Sequence, residues 1–321
     1  MEVVGEDPSA RVRIVELDAP VPIIEPRLRE WSQDFSLPTV VRNAFSPPKI
    51  EPALFLPPDR LLYADVGKVG EFRDFNGQYP WSRIWARMEA GEDVYGSLGT
   101  GTPNLDEVTV GVIGALKRRI LPAGTFASHE NPGHVIFGST SRRQTTTGWH
   151  NAVDANLLFQ LHGTKDLYSI EQLPPTFHPV GIGAYTFLVE RERSGSGAAR
   201  RDDDQQHLFE ISACVTLRPG DMLINTPYSW HAVRIDGFNI SLSLRGDRAD
   251  VMAWLAFRYF DGNIDHPMLA SFANLFEAVT YGTPTIRAER RPGLRALVRD
   301  ATRRAAVTRR RLESWLGSKA P

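Results

Sequence analysis

Cysteine is almost absent from this 321-residue chain, which carries Cys214 and no other. A lone thiol excludes an internal disulfide framework and a cysteine-rich zinc site, and it fits a reducing compartment. Long apolar runs are missing too: none approaches the roughly 20 residues of a helical membrane span. There is almost no net charge, with 37 basic side chains against 38 acidic ones for a formal −1. That balance predicts no general attraction to nucleic acid or to a membrane surface. The opening MEVVGEDPSARVR lacks the basic-then-apolar pattern of a secretory signal. These absences lead to the expectation of a cytoplasmic protein.

The chain is long enough to bury a real core, and three regions differ in pattern. Residues 1–36 form a lead-in with a short strand at Arg13 to Leu17 and a short helix at Arg27 to Phe35. Residues 37–248 read as one β-rich domain with a helical insert. Trp81, Ile84, Trp85 and Met88 have helical spacing over Trp81 to Glu89. Leu105 to Ile120 reads as a helix facing inward through Val108, Val112, Leu116 and Ile120. Strands are expected at Leu61 to Val66, Val94 to Leu98, His134 to Ser139, Trp149 to His162, Lys165 to Ile170, Ala184 to Glu190, His207 to Leu217, Asp221 to Thr226 and His231 to Arg245. Turn residues separate them at His162-Gly163, Pro174-Pro175, Pro219-Gly220 and Asp236-Gly237, and Arg191 to Gln206 reads as a flexible loop. Short strands at this spacing argue for an antiparallel sandwich or barrel. Residues 249–321 turn helical, at Ala249 to Phe260, Pro267 to Tyr281 and a long arginine-rich stretch from Pro292 to Leu316.

The chemistry concentrates in Thr145 to Ile170, TTTGWHNAVDANLLFQLHGTKDLYSI, and in Gly220 to Arg245, GDMLINTPYSWHAVRIDGFNISLSLR. His150 and His231 can share a metal if adjacent strands aim both at one interior point. Imidazole nitrogen suits Fe(II), and two histidines with one carboxylate leave positions open for substrate and oxygen. Lys165 at the inner end of a barrel strand makes physical sense with an anion, because an unpaired buried ammonium is costly. In isolation, Gly-Thr-Lys would instead be read as a solvated hairpin. Trp149 and Trp230, one beside each histidine, are expected to wall the pocket. His129, His134 and His162 are read as ordinary loop, strand and turn residues, and Arg245 as a surface ion-pair residue or a contact for a substrate carboxylate.

Thr147, His150, Asn156 and Gly163-Thr164-Lys165, followed by Gly220-Asp221, Pro227, Trp230 and His231, form an ordered set. In it the chain resembles the cupin-like, JmjC-type Fe(II)/2-oxoglutarate oxygenases, over roughly Leu37 to Tyr281. Members carry a histidine ligand, an asparagine six positions on and a Gly-x-Lys nine beyond that. Pro38-Thr39-Val40-Val41-Arg42 resembles the family's entry strand. The resemblance implies a double-stranded β-helix (jelly-roll or cupin) barrel, with Fe(II), 2-oxoglutarate as cosubstrate and O2. It implies that Lys165 meets the distal carboxylate of 2-oxoglutarate and that Tyr95 and Thr147 donate hydrogen bonds to it; Tyr95 reads equally as a core tyrosine with a bonded hydroxyl, and Asn156 either supports the cosubstrate or satisfies buried backbone. It also implies a homodimer through residues 249–281.

One position departs from the family. The carboxylate expected two residues after the first histidine is Ala152. Residues 150, 152, 154 and 156 share a face of an extended strand, so Ala152 points where the carboxylate should be. Asp154 lies about 13 Å from His150 along such a strand at ~3.3 Å per residue, and it reaches a shared metal only if the backbone bulges or turns at Asn151 to Val153. Three outcomes stay open. With Asp154 as third metal ligand the chain is a dioxygenase hydroxylating an amino acid, peptide or small metabolite. With Ala152 marking a vacancy filled by water or chloride it is a halogenase, as in related enzymes with alanine or glycine there. With iron binding lost it is a non-catalytic cupin-like binding protein. The arginine-rich tail reads first as a solvated helix face, and a nucleic-acid role is the minority reading.

Overall fold

The computed structural model describes residues 2–4, 11–67, 69, 75–99, 102–121, 133–152, 155–170, 177–182, 185–190, 206–226 and 229–245. Asp154, Pro174-Pro175, the expected loop up to residue 205, the proposed dimerisation segment and the arginine-rich tail lie outside these residues. The described part is mainly β, with fourteen strands in one large mixed sheet and few helices. In chain order the strands are β1 (Glu2–Val4), β2 (Arg11–Glu16), β3 (Thr39–Arg42), β4 (Leu61–Val66), β5 (Gly77–Pro80), β6 (Val94–Gly99), β7 (His134–Ser139), β8 (Gln144–Ala152), β9 (Asn156–Ile170), β10 (Phe177–Ile182), β11 (Tyr185–Glu190), β12 (Ala213–Leu217), β13 (Met222–Asn225) and β14 (Trp230–Arg245). The helices are α1 (Glu25–Ser32), α2 (Trp81–Glu89), α3 (Glu107–Ile120) and α4 (Gln206–Ile211). β2 and β3 pair in parallel, and the other pairings are antiparallel.

Two long strands organise everything else. β9 and β14 pair from Ser169↔His231 to Asn156↔Arg245, with a register shift between Asp236 and Ile240. Beyond that shift β14 changes its second neighbour: its first half pairs with β8, its second half with β7. Likewise β9 pairs with β13 through Asn156–Phe159 and with β12 through Lys165–Ser169. The strands therefore run through two half-sheets, one holding β1-β2-β3-β13 and β7-β6-β4-β5, the other holding β12, β8, β11 and β10. A strand that changes sheets must bend. The bends fall at Gly163 (φ 69°) and Gly237 (φ 72°), where backbone conformation favours glycine.

Alternation along the strands sorts side chains to two faces. On one face of the first half-sheet, Leu157, Phe159, Leu161, Ile240, Leu242, Leu244, Val135 and Phe137 pack with residues of α1, α2 and α3. α2 presents Trp81, Ile84, Trp85 and Met88 to this core, as its spacing predicts. On the other face, Val12, Ile14, Val40, Leu158 and Leu223 meet Leu167, Val215, Leu217, Val233 and Ile235 of the second half-sheet. The half-sheets thus share an interior. α4 covers the outside of the second half-sheet with Leu208 and Phe209 over Trp149, Tyr168, Ile170 and Trp230.

Asp221 fixes the turn between β12 and β13. Its buried carboxylate pairs with Arg42 and accepts from the Arg218 backbone N–H at 2.8 Å, while Arg42 also donates to the Thr216 carbonyl at 2.6 Å. The entry strand β3 is tied to the corner of β9 in this way. An aspartate accepting a charge-assisted bond and a backbone bond here is structural.

Several expectations need correction. His162-Gly163-Thr164 does not join two strands but is a bend inside β9, because β14 continues beside it on both sides. Asp236-Gly237 is the matching bend inside β14. His207 to Leu217 is not one strand: Gln206–Ile211 is helical because Leu208 and Phe209 must cover the outer aromatic cluster. α3 meets the core through Leu116 as expected, with Val112 and Ile120 partly buried against it, but Val108 takes no part. It buries Thr109, Ile113 and Leu116, and Val108 is 46% exposed, because the Asp106 side chain caps the helix at the Thr109 N–H (2.9 Å) and turns that residue inward. Among the described residues no helix is long and apolar enough to cross a membrane.

The bend makes a stability prediction. A Cβ on Gly163 would stand 2.0 Å from the Phe238 carbonyl oxygen, whereas one on Gly237 would meet nothing within 4 Å. Gly237→Ala should cost about 1–2 kcal/mol of left-handed strain, and Gly163→Ala about 3 kcal/mol or more because backbone must also move. Urea unfolding of the two variants measures the difference, and equal losses would contradict the tight approach of β9 to β14 at this corner.

Candidate metal and acid-binding site

His231 and His150 are direct partners across β14 and β8. Both side chains are buried, at 6% and 7% exposure, and their ring centroids stand 4.1 Å apart. The His150 Nδ1 lies 2.8 Å from the Gly148 carbonyl, and the His231 Nδ1 lies 2.9 Å from the Ser229 carbonyl. A carbonyl can only accept, so each Nδ1 carries the proton and each Nε2 keeps its lone pair. Backbone carbonyls bonded to the far ring nitrogen commonly orient metal-binding imidazoles in this way. The register shift in β8 after Thr147 allows Gly148 to turn its carbonyl back on His150. Asn225 lies over His231, its Nδ2 3.3 Å from Nε2, and donates there. Its Oδ1 is buried without a hydrogen-bond partner in the structure. A metal on this Nε2 would displace the Asn225 bond.

Burial holds the pair neutral. It lowers the His150 pKa well below the ordinary range, helped by the charge of His231, and lowers His231 to about 4, with Arg245 adding a smaller push. Two neutral imidazoles on facing strands are a fitting donor set for a first-row divalent metal. Among the described residues no group of three or more His, Cys, Asp or Glu gathers to hold one, and Asp154 is outside that set.

The residues expected to hold the acid face the same interior. Lys165 is 4% exposed on β9, and burial lowers its pKa to about 7. Its Nζ donates to Ser241 Oγ at 2.5 Å. The Tyr95 hydroxyl lies 3.3 Å from Thr147 Oγ1, bridging β6 and β8. Asn156 accepts from Ser243 Oγ at 2.7 Å, so its oxygen is committed to β14. The structure thus pairs His150 with His231 and Tyr95 with Thr147, and it buries Lys165 and Asn156 on the inner side of β9.

Other expectations change. Trp149 and Trp230 pack in the outer cluster under α4 rather than against the histidines. Neighbouring residues of a strand point to opposite faces, so a tryptophan next to an inward histidine faces outward. Arg245 is not a surface residue: it is 6% exposed, and its positive charge lowers the pKa of His134, His150 and His231. His134 is buried opposite Ser243, its pKa pushed to about 3 by burial and then by Arg245. His162 is half-buried, its ring 4.6 Å from Phe238. Sequence reasoning passed over Gln160, Ser241, Asn225 and the buried setting of His134. A signal was present: Asn156-x-Leu158-x-Gln160 and Ser241-x-Ser243-x-Arg245 alternate with fully apolar positions. Such strands are buried on both faces and turn a polar side to an interior.

A scan against models of known protein families matches none, and a search among curated proteins finds no relative.

The buried bases predict a pH dependence of stability. His231 moves from 6.5 down to about 4 on folding, and Lys165 from 10.5 down to about 7. Between each pair of values the unfolded chain binds more protons, so stability rises with pH in both windows. The urea midpoint should therefore climb from about pH 4 to 6.5 and again from about 7 to 10.5. Lys165→Met should abolish the second climb and leave the first, and a second climb surviving in that variant would show that Lys165 is not the buried base responsible.

Proposed function

We propose that this chain is an Fe(II)- and 2-oxoglutarate-dependent oxygenase built on a double-stranded β-helix core, oxidising an unactivated C–H bond of an amino acid, peptide or small metabolite. The observation that carries the reading is the histidine pair, buried, neutral and fixed through both Nδ1 atoms. A buried lysine on the same interior supports it, with a serine hydroxyl and, among the described residues, no carboxylate as its hydrogen-bond acceptor. In this reading His150 and His231 hold the metal through Nε2. Lys165 pairs with the distal carboxylate of 2-oxoglutarate, Tyr95 and Thr147 hydrogen-bond it, and Asn156 supports the strand beside it through Ser243. Bound Fe(II) with 2-oxoglutarate and O2 would supply the oxidising power, while the chain orients the acid and keeps the interior dry. The fold arrangement also favours the jelly-roll form, since two half-sheets share an interior lined by these residues. The balanced charge fits a cytoplasmic enzyme, and a dimer through residues 249–281 belongs to the same proposal.

The third metal position separates two versions. If Asp154 fills it, the product is hydroxylated. The ladder between β8 and β11 runs in regular register through His150↔Phe187, Asn151↔Thr186 and Ala152↔Tyr185. That regularity leaves no bulge in β8 before residue 153. It favours the second version, in which water or chloride takes the position and the enzyme halogenates.

Anaerobic titration of the full chain with Fe(II) and 2-oxoglutarate, with and without chloride, tests both. A visible charge-transfer band is expected, lost in His150→Ala and His231→Ala. A band that shifts with chloride supports the open position at Ala152, and one that ignores chloride supports Asp154. Absence of a band in the wild-type chain would sink the enzyme reading.

A further inference from the structure

At the corner where β9 and β14 bend, three buried polar side chains form a directed chain. Gln160 is 0% exposed, and its Nε2 donates to the His162 carbonyl at 2.6 Å and to the Gly163 carbonyl at 3.1 Å. Both partners can only accept, so the amide cannot be flipped and Oε1 must face the other way. Ser241, also 0% exposed, donates its one hydroxyl proton to that Oε1 at 2.9 Å. The serine is left with lone pairs alone on its remaining side, and there it accepts from Lys165 Nζ at 2.5 Å. The direction of every bond is dictated from the bend outward. The Lys165 amine is therefore held to one wall, and Ser241 is its one hydrogen-bond acceptor among the described residues.

A lysine ordinarily has a long flexible stem and adapts to several acceptor positions. This one is tethered. We propose that Gln160 and Ser241 are positioning residues that hold the Lys165 amine at one depth in the interior, and so set the length of the dicarboxylic 2-oxo acid that fits between it and the histidine pair. This rests on the oxygenase reading, which supplies the histidines as the other anchor. Among the described residues the side-chain hydrogen bonds of Ser241 and Gln160 run to each other, to Lys165 and to the bend carbonyls, so their effect passes through Lys165.

The test is calorimetric binding of 2-oxoglutarate, oxaloacetate (one carbon shorter) and 2-oxoadipate (one carbon longer) to the full chain in Mn(II). The wild-type chain should prefer 2-oxoglutarate by about tenfold or more over both. Ser241→Ala should weaken 2-oxoglutarate about tenfold, as loss of a bond to a charged group does, and cut the discrimination below about threefold. Ser241→Thr should restore both. A purely structural serine would alter thermal stability and leave the length preference intact. Binding by wild-type chain with no length preference, or a preference that survives in Ser241→Ala, overturns this inference alone. No binding of any of the three acids by wild-type chain overturns it together with the oxygenase reading. Should Ser241→Ala fail to fold, Gln160→Met is the second variant, expected to lose part of the same discrimination.

Discussion

The pairing of β9 with β14 is the constraint on which the rest depends. Each strand is too long for one flat sheet, and each serves two half-sheets by bending at a glycine. Because they bend together, the polar sides of both halves are turned to one interior. His231 and Lys165 sit on one limb of the pair, and Asn156, Gln160, Ser241, Ser243 and Arg245 sit on the other. A shift of one residue in this register would send every one of them to the opposite face. The apolar alternates Leu157, Phe159, Ile240 and Leu242, packed against the helices, hold that register by the burial they would lose.

Burying so many polar groups is unfavourable unless each is matched, and the interior solves this by short local bonds. Each histidine donates to a carbonyl two residues back, Ser243 to Asn156, Lys165 to Ser241, and Gln160 to the bend itself. These bonds fix orientation without neutralising charge. Three of the residues involved are bases whose proton affinity is lowered by burial, and Arg245 adds fixed positive charge close to the histidines. An interior of this kind gains from an anionic ligand, and that electrostatic imbalance is as much a part of its character as the histidine pair.

How much of this was legible follows from how local each signal is. The mainly β character and the helix α2 could be read from periodicity, which depends on near neighbours. The two histidines and Lys165 stand out through the family resemblance that His150, Asn156 and Gly163-Thr164-Lys165 carry, and the structure places them on one interior. The bends could not be separated from turns, because Gly163 and Gly237 look alike in sequence whether a chain reverses or continues, and the outcome depends on a strand far away. The tryptophans lie elsewhere for a simpler reason: proximity in sequence to His150 and His231 is not proximity in space, because adjacent residues of a strand face opposite sides. Arg245 and His134 were set aside because a charged or titratable residue is usually exposed, and only the apolar residues on either side hinted otherwise.

The distance along the chain between β9 and β14 has a consequence for how the protein comes into being. During synthesis β9 emerges long before its central partner, so Leu157, Leu158, Phe159 and Leu161 have only incomplete pairing until Trp230–Arg245 follows. Folds dominated by such distant pairings form slowly and expose strand edges meanwhile. His150 reaches His231 only when that last strand is in place. The histidine pair therefore cannot form on a nascent fragment, and its assembly reports the arrival of β14.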